Sequence, residues 1–218
     1  MIQHHPDDDL LLSRAAGSLD SGAALVVTVH LESCLHCRER MRMFDVVGGA
    51  LLEQLPPSVL APPALAQTLA AIDAFGRAHT LPRTATFTHP ELPAGCLWPA
   101  ALRHCNATRW RWLGPGMHWS RLGLPYDSAA NVFLLRIASG KMLPMHTHSE
   151  NELTQVLYGA FDDGRARFGA GDFDEANGDV RHQPTVLAQG ECICLANVRG
   201  KVLFEGVVAR TLGALVGL

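Results

Sequence analysis

The stretch HLESCLHC, residues 30–37, places His30, Cys34 and Cys37 at positions i, i+4 and i+7. On an α-helix, residues at these separations share one face. Two thiolates and one imidazole on a single helical stripe provide three of the four ligands of a tetrahedral zinc site. The spacing therefore predicts a helical metal site that takes its fourth ligand from elsewhere in the chain.

Two N-terminal histidines are candidates for that fourth ligand. His4 and His5 precede an acidic run, and a short helix followed by a turn could bring either of them back beside residues 30–37. His36 lies about 100° around the helix from Cys37, so we expect it to point away from the metal. The residues alone leave His4 and His5 as alternatives.

Composition excludes several classes of protein. The 218 residues are 48% hydrophobic and carry a formal net charge of −3. This charge gives no reason to expect direct binding of nucleic acid, and no apolar run is long enough to span a membrane. The N-terminus MIQHHPDDDLL carries acids where a secretory signal would carry basic residues. We therefore expect a cytoplasmic protein whose six cysteines are metal ligands, redox centres or core residues rather than disulfides.

The first third of the chain has helical patterns. An acidic run at residues 7–9 is typical of a helix start, and Gly17 is a stop signal. A second helix is predicted from Ala23 to Arg42, and a third is expected to break or bend at Gly48 and Gly49. A Pro-rich connector and one more amphipathic helix ending near Gly76 follow.

Beyond a Pro- and Thr-rich segment at residues 81–99, short alternating segments predict strands. Many short strands at regular spacing are typical of a sandwich or jelly roll. Within this part, Gly140, His146, His148, Glu152 and Gly159 follow the spacing G-x5-HxH-x3-E-x6-G. This spacing matches the first motif of the cupins, which are small jelly-roll barrels with a metal inside.

The second cupin motif, G-x5-P-x-G-x2-H-x3-N, is present in a divergent form. Gly171 and His182 are in place, whereas Asn177, Asp179 and Val186 stand at the positions of the proline, the second glycine and the asparagine. His182 therefore matches the fourth ligand of a site with His146, His148 and Glu152. Three imidazoles and one carboxylate suit Zn, Mn, Fe or Ni.

These motifs predict an α+β fold in three parts. Residues 1–80 form a small all-α zinc-bound helical domain, residues 81–99 a linker, and residues 100–218 an all-β cupin jelly-roll barrel.

The whole chain resembles the ChrR-type zinc-binding anti-sigma factors. The resemblance rests on HHPDDDLLLSRAAGSL, HLESCLHCRER, the MHTHSENE block and the run GDVRHQP…CICL. It implies a regulatory protein rather than an enzyme. Its N-terminal zinc domain would hold an alternative sigma factor of the extracytoplasmic-function group. Its cupin domain would respond to singlet oxygen or organic hydroperoxides.

The resemblance also implies two ligand sets. The family pattern places His5 with His30, Cys34 and Cys37 on the first zinc, and His146, His148, Glu152 and His182 on the second. The competing hypothesis is a metal-dependent cupin oxygenase whose N-terminal helices aid oligomerisation, since a three-His, one-Glu site with an open position could activate oxygen.

Two further groups of residues bear on the regulatory hypothesis. Cys192 and Cys194 alternate onto one face of a predicted strand, and they would be oxidation targets if that face lined the barrel. Apolar helix faces could serve the protein partner, and the candidates are Leu10, Leu11, Val46, Val47, Leu51 and Leu52.

Overall fold

The computed structural model describes residues 1–78 and 87–205, and of residues 75–78 it describes the backbone alone. The helices are α1 (Asp8–Ala15), α2 (Ser21–Ser33), α3 (Leu35–Glu53) and α4 (Ala64–Ala78), and a single 3-10 turn covers Ala100–Leu102. The strands are β1 (Asn106–Ala107), β2 (Arg111–Gly114), β3 (Met117–Leu124), β4 (Asp127–Ile137), β5 (His146–His148), β6 (Glu152–Tyr158), β7 (Ala160–Asp162), β8 (Arg167–Gly169), β9 (Phe173–Ala176), β10 (Thr185–Val186), β11 (Cys192–Val198) and β12 (Val202–Phe204). Helices followed by a β-rich part confirm the predicted α+β class.

The first helix begins and ends where the sequence predicts. Asp8 and Asp9 occupy its first turn, where carboxylates interact favourably with the helix dipole. Gly17 follows its C-terminus with φ of +67°, a left-handed conformation that glycine adopts without steric cost.

The segment HLESCLHC is two helices rather than one, which corrects the predicted helix from Ala23 to Arg42. Helix α2 ends at Ser33, and Cys34 has extended backbone angles, φ −98° and ψ 104°. The Cys34 thiol then accepts the backbone N–H of Cys37 at 3.4 Å, as an N-cap side chain does at the third residue of a new helix. Arg38 donates to the carbonyls of Leu31 and Glu32, which covers the exposed end of α2.

Of the break or bend expected at Gly48 and Gly49, the break is wrong, because α3 continues through both residues to Glu53. The bend stays a prediction. Glycine lowers the stability of a helix by about 1 kcal/mol relative to alanine but does not forbid helical backbone.

The strands form one large antiparallel sheet and two small ones. The large sheet has the order β1-β3-β4-β11-β6-β9, with β2 also pairing with β3. The small sheets are β10-β7-β8 and β12-β5. An isolated bridge joins His146 to His182.

Both faces of the large sheet are covered. On its inner face, side chains of β4, β6 and β11 pack against Phe161, Phe168 and Val186 of the small sheet. On its outer face, Val132, Leu134 and Leu195 pack in one core with residues of α2. Strand β11 is consequently buried at every residue.

Contacts divide the chain into two compact units. Residues 1–45 and the chain from Phe87 onward form the first unit, and Val46–Thr86 form the second. Helix α2 thus belongs to the same compact unit as the barrel. The predicted domains at 1–80, 81–99 and 100–218 stay a prediction, and residues 79–86 and 206–218 within them lie outside the described residues. In the part of the chain that is described, no helix is long and apolar enough to cross a membrane.

Candidate metal centres

The first cluster consists of His5, His30, Cys34 and Cys37. One ligand atom from each of these residues lies within 4.8 Å of those of the others. The His5 Nδ1 atom is 3.3 Å from Cys34 Sγ and 3.4 Å from Cys37 Sγ. Three of the four side chains are buried. The structure therefore brings together all four residues that the family pattern assigns to the first zinc.

The spacing of this cluster fits a tetrahedral metal. Zn–N bonds of about 2.0 Å and Zn–S bonds of about 2.3 Å at the tetrahedral angle put nitrogen and sulfur ligands roughly 3.5 Å apart. The buried His30 Nε2 has no hydrogen-bond partner among the described residues. Its other nitrogen, Nδ1, lies 2.9 Å from the Gln155 side-chain oxygen. A buried imidazole with one nitrogen in a hydrogen bond and the other without a partner is typical of a metal ligand.

Hydrogen bonds to residues in and next to β9 hold the N-terminal segment beside this cluster. The backbone N–H groups of Gln3 and His4 donate to Asp172 Oδ1 at 2.6 and 3.1 Å. The N–H of Phe173 donates to the His4 carbonyl at 3.1 Å. The two alternatives for the fourth ligand are thereby separated, because His4 packs its ring on Phe168 with a centroid distance of 4.5 Å while His5 faces the sulfurs.

His36 lies outside the first cluster, as the sequence predicts, and its side chain is exposed. Its ring is nevertheless near His5, with centroids 4.9 Å apart.

Burial sets the protonation of the first cluster. It is the main cause that lowers the pKa of His5 and of His30, so both imidazoles are neutral near pH 7. Burial, together with the Cys34 hydrogen bond, raises the pKa of Cys37 to about 12. A metal that binds the Cys37 thiolate must therefore displace a proton.

The second cluster consists of His146, His148, Glu152 and His182, whose ligand atoms also lie within 4.8 Å of one another. Strand β5 supplies the two alternate histidines and β6 begins at the glutamate. The His148 Nε2 atom is 3.2 Å from His182 Nε2 and 3.1 Å from Glu152 Oε2. Two nitrogens on a tetrahedral zinc would be about 3.3 Å apart, so this cluster also has metal-site spacing.

The neighbours of the second cluster favour its metal-binding protonation state. Burial would raise the pKa of Glu152, but the hydrogen bond from His148 and the nearby imidazoles lower it overall. Burial lowers the pKa of His146, whose Nδ1 lies 2.9 Å from the Pro144 carbonyl. The carbonyl can only accept, so Nδ1 carries the proton and Nε2 is free to bind a metal.

A buried charged network behind His182 was missed by sequence reasoning. Asp163 Oδ2 lies 3.5 Å from His182 Nδ1, and Arg165 pairs with both Asp163 and Asp174. Burial raises the pKa of Asp174 to about 6 against the effect of Arg165. The only sequence signal was a turn with two acidic and two basic residues, DDGRAR, at residues 162–167, which is typical of an ordinary surface loop.

Cys192 and Cys194 line the same small cavity as the second cluster, so their face of β11 points into the barrel. Their sulfurs are 3.6 Å apart. The cavity has a volume of about 40 Å³, room for roughly three water molecules. The hydrogen bond with Cys192, together with burial, raises the pKa of Cys194. All six cysteines are buried free thiols, Cys96 and Cys105 included.

Comparison with known proteins identifies the family. Residues 99–201 match the family model described as the ChrR Cupin-like domain. The anti-sigma-E factor ChrR of Cereibacter sphaeroides is 38% identical over 209 residues, which cover 96% of this chain and 95% of that protein. The crystal structure of Rhodobacter sphaeroides SigE in complex with the anti-sigma ChrR matches with a TM-score of 0.71 and 34% identity, over 91% of this chain and 100% of that one. The chain described here therefore belongs to the ChrR family of anti-sigma factors, which are regulatory proteins rather than enzymes.

Proposed function

We propose that this protein is a zinc-dependent anti-sigma factor that binds and inhibits an alternative sigma factor of the extracytoplasmic-function group. The observation that carries the proposal is the solved complex of a 34% identical anti-sigma factor with SigE, which matches 91% of this chain. Inhibition by occlusion needs no chemistry, only a folded surface that competes with RNA polymerase. The protein would act in the cytoplasm, where its sigma factor is.

Exposed apolar side chains of the second compact unit supply a candidate surface for the sigma factor. Soluble proteins rarely leave many large apolar side chains of one small unit in water unless a partner covers them. Those exposed in this unit are Val46, Val47, Leu51, Leu52, Leu55, Val59, Leu60, Leu65, Leu69 and Ile72. The other two residues considered from the sequence, Leu10 and Leu11, belong to the hydrophobic core of the first unit.

Zinc in both clusters is the second element of the proposal. A Cys2His2 set with tetrahedral spacing favours zinc at the first cluster, where the metal would join the N-terminus to the α2–α3 junction and stabilise the fold. At the second cluster, zinc is proposed with Mn, Fe or Ni as alternatives, because imidazole and carboxylate ligands accept all of these metals.

The third element is release of the sigma factor in response to singlet oxygen or organic hydroperoxides. A cavity of about 40 Å³ admits only small molecules, and it holds the two thiols beside the second cluster. A hydroperoxide would oxidise one thiol to a sulfenic acid and leave as the alcohol; the second thiol would then form a disulfide and release water. Bringing the sulfurs from 3.6 Å to a bonded distance of about 2.05 Å would distort β11, the strand at the centre of the large sheet.

Two variants test whether the first cluster is needed for binding of the sigma factor and the second for its release. The double variant Cys34→Ser, Cys37→Ser should lose binding of the sigma factor, measured by co-purification of the two proteins. At saturating zinc, His146→Ala should bind it as wild type does but release less of it after hydroperoxide treatment. Loss of all binding in His146→Ala would contradict the proposal, as would iron in the second cluster with turnover of oxygen.

A further inference from the structure

Strand β6 carries side chains of both metal centres on its two faces. Its first residue, Glu152, belongs to the second cluster on the inner face. Three residues along, Gln155 points to the outer face, where it contacts His30 of the first cluster. At about 3.3 Å per residue, these two backbone positions are only about 10 Å apart. The two centres therefore share one short piece of strand.

The Gln155 amide has a single possible orientation. It is 2% exposed, and its Nε2 donates to the carbonyl of Val156 at 3.0 Å. Because a carbonyl can only accept, the amide oxygen is the atom that faces His30 Nδ1 at 2.9 Å. His30 Nδ1 must then carry the proton, which leaves the lone pair of Nε2 directed to the first cluster.

The neighbouring strand β9, together with Asp172 just before it, also contacts both clusters. The Phe173 ring packs edge-on against the His30 ring with centroids 5.5 Å apart. Asp172 holds the N-terminal segment that carries His5, and Asp174 lines the cavity of the second cluster. The first cluster therefore lies against the outer faces of β6 and β9, and the second cluster lies at the inner faces of the same two strands.

We propose that Gln155 is a positioning residue that orients His30 toward the metal of the first cluster, and that strand β6 couples the metal affinities of the two clusters through it. The inference rests on the proposed function, since it requires metal in both clusters. Loss of metal at Glu152 would free the start of β6, and the Gln155 oxygen would no longer hold the His30 ring. Coupling of this kind is reciprocal, so each metal strengthens binding of the other.

The test of positioning uses Gln155→Met and Gln155→Glu in the full chain. The probe is Co²⁺, whose thiolate charge-transfer absorption reports only on the first cluster, because the second has no sulfur ligand. Gln155→Met should weaken Co²⁺ and Zn²⁺ binding at the first cluster by about 10- to 100-fold, the usual effect of losing such a supporting hydrogen bond. Gln155→Glu keeps an acceptor and should retain affinity within a few-fold. The matched control is Gln189→Met at an exposed position, which should have no effect.

The test of coupling adds His146→Ala to form a double-mutant cycle. His146→Ala alone should weaken metal binding at the first cluster at least threefold, and in the Gln155→Met background it should cause no further loss. Independent effects of the two substitutions would overturn the coupling. Equal losses in Gln155→Met and Gln155→Glu would overturn the positioning role, because packing rather than the hydrogen bond would then be responsible. A wild-type protein without thiolate-bound metal would overturn the zinc-dependent function itself, which is a distinguishable result.

Discussion

At Cys34, one residue controls the geometry of the first cluster. Its extended backbone separates α2 from α3, and its sulfur lies within reach of both the Cys37 N–H and the His5 ring. A helix continuing through Cys34 would leave the His30 and Cys37 side chains two turns apart along one stripe. Because of the break, the ligand atoms of three residues from this eight-residue segment lie within 4.8 Å of one another, which is the spacing that a bound metal requires.

The protonation of Cys37 predicts different pH responses for the two centres. Its pKa of about 12 means that zinc must displace a proton from its thiol at any pH near neutrality. Zinc affinity at the first cluster should therefore fall at least about tenfold when the pH drops from 8 to 7. At the second cluster, the lowered pKa values of His146 and Glu152 mean that neither of these two ligands has a proton to displace, so its affinity should fall less steeply. Chelator competition at both pH values measures this, and equal slopes at the two sites would contradict it.

Asp163 is predicted to position His182 in the second cluster. Burial opposes ionisation of Asp163, but the imidazole of His182, 3.5 Å away, and hydrogen bonds from Arg165 and two backbone N–H groups lower its pKa overall, so it is a carboxylate at neutral pH. Asp163→Asn removes the charge that orients the imidazole and should weaken metal binding at the second cluster by about 10- to 100-fold. Metal analysis after dialysis against a chelator measures the loss.

The neighbouring residue provides a matched control for this prediction. Asp162 forms an ion pair with the exposed Arg167 at 3.3 Å and accepts the backbone N–H of Gly164 at 2.9 Å. Neither contact involves the second cluster, so Asp162→Asn should retain the metal. At saturating Co²⁺ the first cluster should keep its cobalt spectrum in both variants, which separates a local effect from unfolding. Equal metal loss in the two variants would mean that Asp163 has no special role.

Helix α2 is the element on which the first compact unit depends. Its Val26 and Val27 are fully buried in one core with Leu134 and Leu195 of the sheet. This explains why the segment is rich in β-branched residues that would otherwise suit a strand: its surroundings are apolar and override helix propensity. The helix is part of the barrel core and also carries His30, a candidate metal ligand.

Truncating one of these valines should destabilise the barrel. Val26→Ala removes two buried methyl carbons and leaves a cavity, which should lower the free energy of unfolding by about 2–3 kcal/mol. Urea unfolding followed by tryptophan fluorescence reports this, because the four tryptophans all lie between residues 98 and 119. The same substitution at Val47, which is 55% exposed, should change stability by less than about 0.5 kcal/mol. Equal effects would show that α2 is not part of the cooperative unit.

The cupin motif illustrates what local sequence specifies at the level of elements. Gly159 ends β6 with φ of +71°, and a Cβ there would collide with the Glu191 backbone oxygen. Spacing predicted the strands and grouped three of the four side chains of the second cluster, because the motif encodes both the turn and the face on which they lie; that they bind a metal stays a prediction. The break at Cys34 was not predictable in the same way, since it depends on which acceptor the Cys37 N–H finds.

At the scale of the whole molecule, the sequence predicts the candidate ligands but not the distant residues that hydrogen-bond to them. His30 and Gln155 are 125 residues apart in the chain, and the N-terminal hydrogen bonds to Asp172 span 168 and 169. No local period or spacing encodes such pairs, so Gln155, Asp163 and Asp172 were missed and His4 could not be separated from His5. The α+β class was predictable because helical and strand periods occupy different parts of the chain.

Binding of the sigma factor is predicted to depend on the second compact unit. Leu51 and Leu52 are 60% and 68% exposed, so replacing both with Asp would leave the core unchanged but place two charges on a surface that a partner must dehydrate. The double variant should keep the metal content and unfolding curve of wild type and lose at least about 100-fold in affinity for the sigma factor, measured by calorimetry. Leu97→Asp, at a position 84% exposed in the first unit, is the matched control and should bind normally. Normal binding by the double variant would place the interface elsewhere, because two buried unpaired carboxylates are not tolerated at the centre of an apolar contact.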